Sequence, residues 1–161
     1  MIKLFLCCAL CTCTLMFSLE LHREKQRQAE AVRELADVVS RIISLLRFEA
    51  TDVFQICQNA FNNAEIMNFT EFRLIEGGEF PIRWKKACQG LSTDSESKRL
   101  FEAVGGILGT CDLRSQTERL SQIHTDLTEH SKSLREKADG TKKLYTTIGA
   151  LLGLGIAIVV I

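Results

Sequence analysis

Asp112–Ala138 reads DLRSQTERLSQIHTDLTEHSKSLREKA, and this stretch decides the fold class. Leu113, Leu120, Leu127 and Leu134 recur every seven residues, with Gln116, Ile123 and His130 on or near the intermediate positions. Apolar positions three and four apart lie along one face of a helix. Asp112 supplies an N-cap oxygen ahead of the run. The predicted helix reaches about Ala138, roughly 40 Å at 1.5 Å per residue. A leucine zipper would want apolar residues where Gln116 and His130 stand. No basic region precedes the repeat, which argues against a DNA-binding zipper. A long antiparallel partner within the same chain fits the pattern better.

That partner is visible upstream. From Glu20 to about Ala50 no helix breaker occurs, and Val32, Leu35, Val39, Ile42, Ile43 and Leu46 recur at helical steps. The first part of this helix, ELHREKQRQAEA, is polar all round and is expected to project as a stalk. Shorter helices are predicted between the two long ones. Thr51 and Asp52 offer N-cap chemistry for one through Val53, Ile56, Cys57, Ala60, Phe61 and Ala64. A short piece covers Asn68–Ile75 and closes at Gly77-Gly78. Pro81 suits the first turn of another helix and Gly90 its end. Thr93 and Glu96 form a capping box ahead of Leu100, Phe101, Val104 and Leu108. A single proline in 161 residues argues against an all-β fold, which needs frequent turn signals.

Charge is partitioned along the chain. Net charge is zero, so bulk charge gives no reason to expect nucleic-acid binding. Leu4–Leu19 (LFLCCALCTCTLMFSL) and Leu144–Ile161 (LYTTIGALLGLGIAIVVI) carry no charged side chain. The second run would span about 27 Å as a helix, close to a bilayer's hydrocarbon thickness. For the first run a retained anchor competes with a secretory signal peptide, and no A-x-A-like cleavage site near Ser18 supports cleavage. A thiolate metal site in CCALCTC is disfavoured by the cost of burying ionised thiols in lipid. His22, Arg23, Lys25 and Arg27 follow the first run, and Lys137, Lys142 and Lys143 precede the second. Positive residues mark the cytoplasmic side of membrane helices, so both flanks put the middle of the chain in the cytoplasm. The expected organisation is an N-terminal anchor at 1–19, a cytoplasmic bundle at 20–143 and a membrane helix at 144–161. Gly149 and Gly153 form a GxxxG pair, which suits close helix packing in the membrane and is also common in membrane helices generally.

Cys57, Cys88 and Cys111 are widely separated and odd in number, unlike a secreted disulfide scaffold. His124 and His130 lack partners at ligand spacing. Gly105-Gly106-x-x-Gly109 lacks the strand, the glycine order and the Lys-Ser/Thr of a phosphate loop, and is expected to allow close packing or a bend. Asn68-Phe69-Thr70 matches a glycosylation sequon by letter only, given the cytoplasmic reading. No acid–base pair or nucleophile arrangement is evident, so no catalysis, cofactor, metal or small-molecule substrate is expected.

Leu46-x-Phe48-x-x-Thr51-Asp52-Val53, Arg83-Trp84 with Ala87, and Leu108-Gly109-x-x-Asp112-x-x-x-Gln116, in this order along the helices and between two apolar ends, make the chain resemble the stage III sporulation protein AB family of spore-forming Firmicutes. Leu108-Gly109-x-x-Asp112-x-x-x-Gln116 resembles that family's L-G-x-x-D-x-x-x-Q segment before a long helix. Leu46-x-Phe48-x-x-Thr51-Asp52-Val53 resembles its I-x-Y-x-x-T-P-L segment, with Asp52 where Pro is usual. Arg83-Trp84 with Ala87 resembles a Trp-containing middle helix. The apolar ends and glycine-rich final run also agree. The region between Phe69 and Leu91 is short for the family, and the cysteine-rich first run is unusual. The resemblance implies an all-α fold similar to the cytoplasmic domains of type II secretion F-type platform proteins. It also implies a non-enzymatic role in the mother-cell membrane facing the forespore, in a channel or secretion-like complex. Its partners would be other stage III proteins, including a cytoplasmic secretion-type ATPase. Gly109, Asp112, Gln116, Phe48, Thr51 and Trp84 would carry family structure or contacts. Two rival classes remain: a tail-anchored helical regulator, which leaves the first apolar run unexplained, and a general secretion platform outside sporulation.

Overall fold

A computed structural model describes residues 2–48, 52–61, 64, 80–110 and 112–160, leaving out within its helices the side chains of 2–11, 13–15, 17–19, 21, 141–146 and 148–160. The described residues are helical throughout their regular structure. Helix α1 is Ile2–Phe48, α2 Val53–Phe61, α3 Phe80–Gln89, α4 Ser95–Ile107 and α5 Leu113–Val160. The chain divides into two compact units, one of 28–132 and one formed by 1–27 with 133–161.

Both long helices exceed the sequence expectation. The stretch from Glu20 continues backward without interruption to Ile2, and the last helix passes Ala138 to reach Val160. Gly140 does not end it. A Cβ there would meet nothing, so glycine in the helix costs only its propensity, about 1 kcal/mol. Among the described residues, no helix is long and apolar enough to cross a membrane. The two expected anchors fall on side chains outside the described ones, apart from Thr12, Met16 and Thr147. Thr51, Cys111, the sequon and the short piece at Asn68–Ile75 also lie outside the described residues.

In the 28–132 unit, α1 is buried over a broad arc rather than a stripe. Ala31, Val32, Leu35, Ala36, Val38, Val39 and Ile42 are all buried. At 100° per residue they cover about half the helix circumference, so α1 packs against more than one neighbour. Burial starts at Ala29, inside the stretch expected to be a polar stalk. One neighbour is α5, where the Ser131 hydroxyl donates to the Ala29 carbonyl at 2.9 Å. Another is α2, whose Ala60 carbonyl accepts from Arg41 Nη1 at 3.4 Å. From α5, Gln116, Thr117, Leu120, Ile123 and Leu127 turn inward, while Leu113 is half exposed. The seven-residue repeat thus serves an antiparallel contact inside the chain.

Local signals explain most helix ends. The Asp52 carbonyl accepts from the Ile56 N–H at 3.1 Å to start α2. Pro81 stands in the first turn of α3, where its missing N–H is harmless. Gly90 follows the last residue of that helix. The start of α4 differs from expectation. Asp94, not Thr93, is the N-cap, accepting from the Glu96 and Ser97 amides. Thr93 instead donates its hydroxyl to Asp94 Oδ1 at 3.4 Å.

Candidate functional site

Two clusters hold Trp84, Gly109, Asp112 and Gln116 of the residues singled out by sequence, and α4 connects them. The first surrounds Trp84. Its ring is 1% exposed and stacks on Phe101 with centroids 4.9 Å apart. Phe61 lies 5.6 Å and Phe80 5.7 Å from it, both tilted. The indole Nε1 donates to the Phe101 carbonyl at 2.8 Å, satisfying the one polar atom that burial would otherwise leave costly. Gly105 makes this seat possible. A Cβ there would overlap Trp84 Cδ1 and Cγ and stand 2.9 Å from Trp84 Cβ. Gly106, the other half of the pair, faces open space. The expectation of close packing therefore holds for one glycine and not for its neighbour.

The second cluster is the corner between α4 and α5. Leu108 caps α4 with an extended backbone, its N–H donating to the Val104 carbonyl at 3.1 Å. Gly109 then takes φ +76°, the left-handed region that glycine enters without penalty. Thr110 turns its hydroxyl back onto the Gly106 and Ile107 carbonyls at 3.2 and 2.9 Å. Asp112 caps α5, with Oδ2 accepting the Ser115 N–H at 3.1 Å and its carbonyl accepting the Gln116 N–H at 2.9 Å. Hydrogen bonds from the Ser115 side chain and backbone hold the Asp112 carboxyl below the usual range. Gln116, 8% exposed, reaches back so that Oε1 accepts the Gly109 N–H at 3.4 Å. The three motif residues Gly109, Asp112 and Gln116 thus form one polar turn.

Cys57 and Cys88 are free and buried. Burial, with Asp52 nearby, pushes the Cys57 thiol up; burial, with the Glu102 carboxylate, pushes Cys88 up to about 12. Such thiols stay protonated and pack as small apolar groups. The corner and the Trp84 seat are built to hold backbone geometry.

Phe48 belongs to neither cluster and is 87% exposed at the end of α1. It lies nineteen residues along α1 from Ala29, as Asp112 lies nineteen residues from Ser131. Both are therefore about 28 Å from the Ser131–Ala29 bond, at the same end of the unit. Within its sequence motif, Phe48 is a surface side chain and not a core one. Gly149 and Gly153 lie in α5, but their surroundings are outside the described residues.

The corner, the Trp84 helix and the two long helices occur in the order that the sequence motifs require. A family model for stage III sporulation protein AB matches residues 3–161. The chain belongs to the stage III sporulation protein AB family. Membership brings a sporulation-related role and association with other sporulation proteins. No curated protein matches the chain, and no solved structure does.

One contact between helices escaped the sequence reading. His130 Nε2 lies 2.9 Å from Asp94 Oδ2, linking α5 to the cap of α4. Partial burial opposes ionisation of Asp94, but hydrogen bonds from the Ser97 hydroxyl and N–H and from His130 outweigh it and bring its pKa down to about 2. A contact 36 residues apart leaves no local spacing signal.

Proposed function

We propose that this member of the stage III sporulation protein AB family is a non-enzymatic membrane component of a sporulation channel or secretion-like complex, and a platform for a cytoplasmic secretion-type ATPase during endospore formation. The observation that carries the reading is the family match over residues 3–161. Helix architecture supports it. The two longest helices frame the 28–132 unit and each runs on into an apolar end of the chain. A helical body fixed at both ends beside a membrane can brace a partner without binding a small molecule. The 1–19 and 144–161 segments are the proposed anchors, and the basic flanks put the bundle between them in the mother-cell cytoplasm. Gly149 and Gly153 would let the second anchor pack closely on another helix.

Two measurements test this. Cys57 and Cys88 are buried, so topology is best read from thiols introduced at exposed positions. Ser40→Cys and Ser121→Cys in intact mother cells should resist a membrane-impermeant thiol reagent and react after permeabilisation. Labelling from outside would overturn the cytoplasmic assignment. Deleting the gene should block spore formation, and in-cell crosslinking through the bundle should recover the ATPase encoded nearby. Normal sporulation in the deletion strain would remove the proposed role.

A further inference from the structure

Consecutive residues of α5 reach two different helices. Ser131 donates its hydroxyl to the Ala29 carbonyl of α1 at 2.9 Å. His130 sets Nε2 2.9 Å from Asp94 Oδ2 at the start of α4. One turn of α5 thereby joins three helices within the 28–132 unit. The Ser131 arm is neutral across the physiological range. The His130 arm differs, because imidazole is the side chain whose charge changes between about pH 5 and 8.

The charged groups around the ring are few. From α4 it meets Asp94 and, more distantly, Glu96, whose carboxylate is paired with Arg99 at 2.6 Å. On α5 itself, Asp126 stands four residues earlier and acts on Arg99, with Glu129 and Lys132 flanking the ring in sequence. On α1 the charged neighbours of Ala29 are Glu30 and Arg33, both exposed.

Asp94 is already the cap. Its Oδ2 accepts the Glu96 and Ser97 amides, each at 3.1 Å, and Oδ1 accepts the Ser97 hydroxyl at 2.6 Å. An ionised carboxylate only accepts, so the ring must bring the hydrogen. An imidazolium always carries one on Nε2; the neutral ring does so in one of two tautomers. Protonation therefore turns a conditional bond between a neutral ring and a carboxylate into an unconditional ion pair.

We propose that His130 is a proton-operated latch on the start of α4. Protonated, it locks the Asp94 cap to α5. Neutral, it holds the cap only in the tautomer with hydrogen on Nε2 and so loosens the first turn of α4, while the Ser131–Ala29 bond keeps α1 and α5 together.

Amide hydrogen exchange on the full chain in detergent micelles tests the latch between pH 5.5 and 8. After correction for intrinsic exchange chemistry, Glu96 and Ser97 should be protected about two- to fivefold more at the acidic end. His130→Gln keeps a neutral donor and loses the titration, so its protection should be flat across the range. Flat protection in the wild type overturns the latch, as does a pH dependence that survives in His130→Gln. Should that variant not fold, the wild type alone decides by nuclear magnetic resonance. The Ser97 amide shift should titrate with the midpoint of the His130 ring, and a different midpoint or no titration rejects the proposal.

Discussion

The two ends of α4 are tied to α5 by opposite means. At its start, one carboxylate gathers two backbone amides, a hydroxyl and a histidine ring. At its end the bond that reaches α5 from Gly109 is neutral, and the Asp112 carboxylate beside it caps only the first turn of α5. A left-handed glycine turns the chain and offers its N–H to the Gln116 side chain. The first joint depends on protonation state and weakens with salt. The second depends on a backbone conformation that other residues adopt only at a cost. Two joints of one helix pair therefore fail under different stresses, and the contrast can be pushed from either side.

The largest effect is expected between the two joints, where α4 seats on Trp84. Gly105→Ala should cost about 1–3 kcal/mol in denaturant unfolding, because the new methyl meets the body of Trp84 rather than a flexible tip. Gly106→Ala, one residue on and facing open space, should instead stabilise by about 0.5–1 kcal/mol. Equal effects from the two would mean that α4 does not seat on Trp84 as described.

Next comes the charged joint. Asp94→Ala should cost about 1–2 kcal/mol, the loss of an N-cap together with the His130 contact. This contribution also has a pH signature. Asp94 has a folded pKa of about 2 against about 3.9 for an ordinary aspartate. The folded value is depressed, so its stabilisation is complete above about pH 4 and is lost as pH falls toward 2. An acid unfolding profile that keeps the same slope in Asp94→Asn would show that other groups dominate.

A smaller cost, about 1 kcal/mol, is expected for Gly109→Ala at the uncharged joint. It should be the same at pH 5.5 and pH 8, which separates this joint from the other. The smallest effect is expected for Asp112→Ala. That cap is exposed, and its bonds to Ser115 and Gln116 lie within the first turn of α5. Thermal unfolding should fall less than for Asp94→Ala. A sporulation defect with unchanged unfolding would assign Asp112 to partner contact.

The parts of this molecule legible in sequence are those with local causes. The repeat of Leu120 and Leu127, the Asp112 cap and the Gly90 stop each depend on residues within a few positions, and the structure contains them. Elsewhere local evidence was ambiguous. The run Ser92-Thr93-Asp94-Ser95 offers several cap oxygens, and a capping box favours Thr93. A histidine on another helix and the Ser97 hydroxyl favour Asp94 instead. Neighbouring glycines in Gly105-Gly106 look alike in sequence, yet only one faces Trp84. The breadth of burial on α1 was hidden because alanines such as Ala31 and Ala36 read as neutral, while tertiary neighbours on two sides cover them. Phe48 and Trp84 both entered as motif aromatics, and the fold separates them into surface and core.

Trp84 has a further consequence. It is the chain's one tryptophan, and its indole sits in an aromatic box made by α2, α3 and α4. Tryptophan emission, excited at a wavelength that passes over the one tyrosine, therefore reports on that box. A red shift on adding a partner or changing the medium would mean that water has reached the junction of the three short helices. An unchanged emission during binding would mean that the partner is received elsewhere, with this junction acting as a rigid seat.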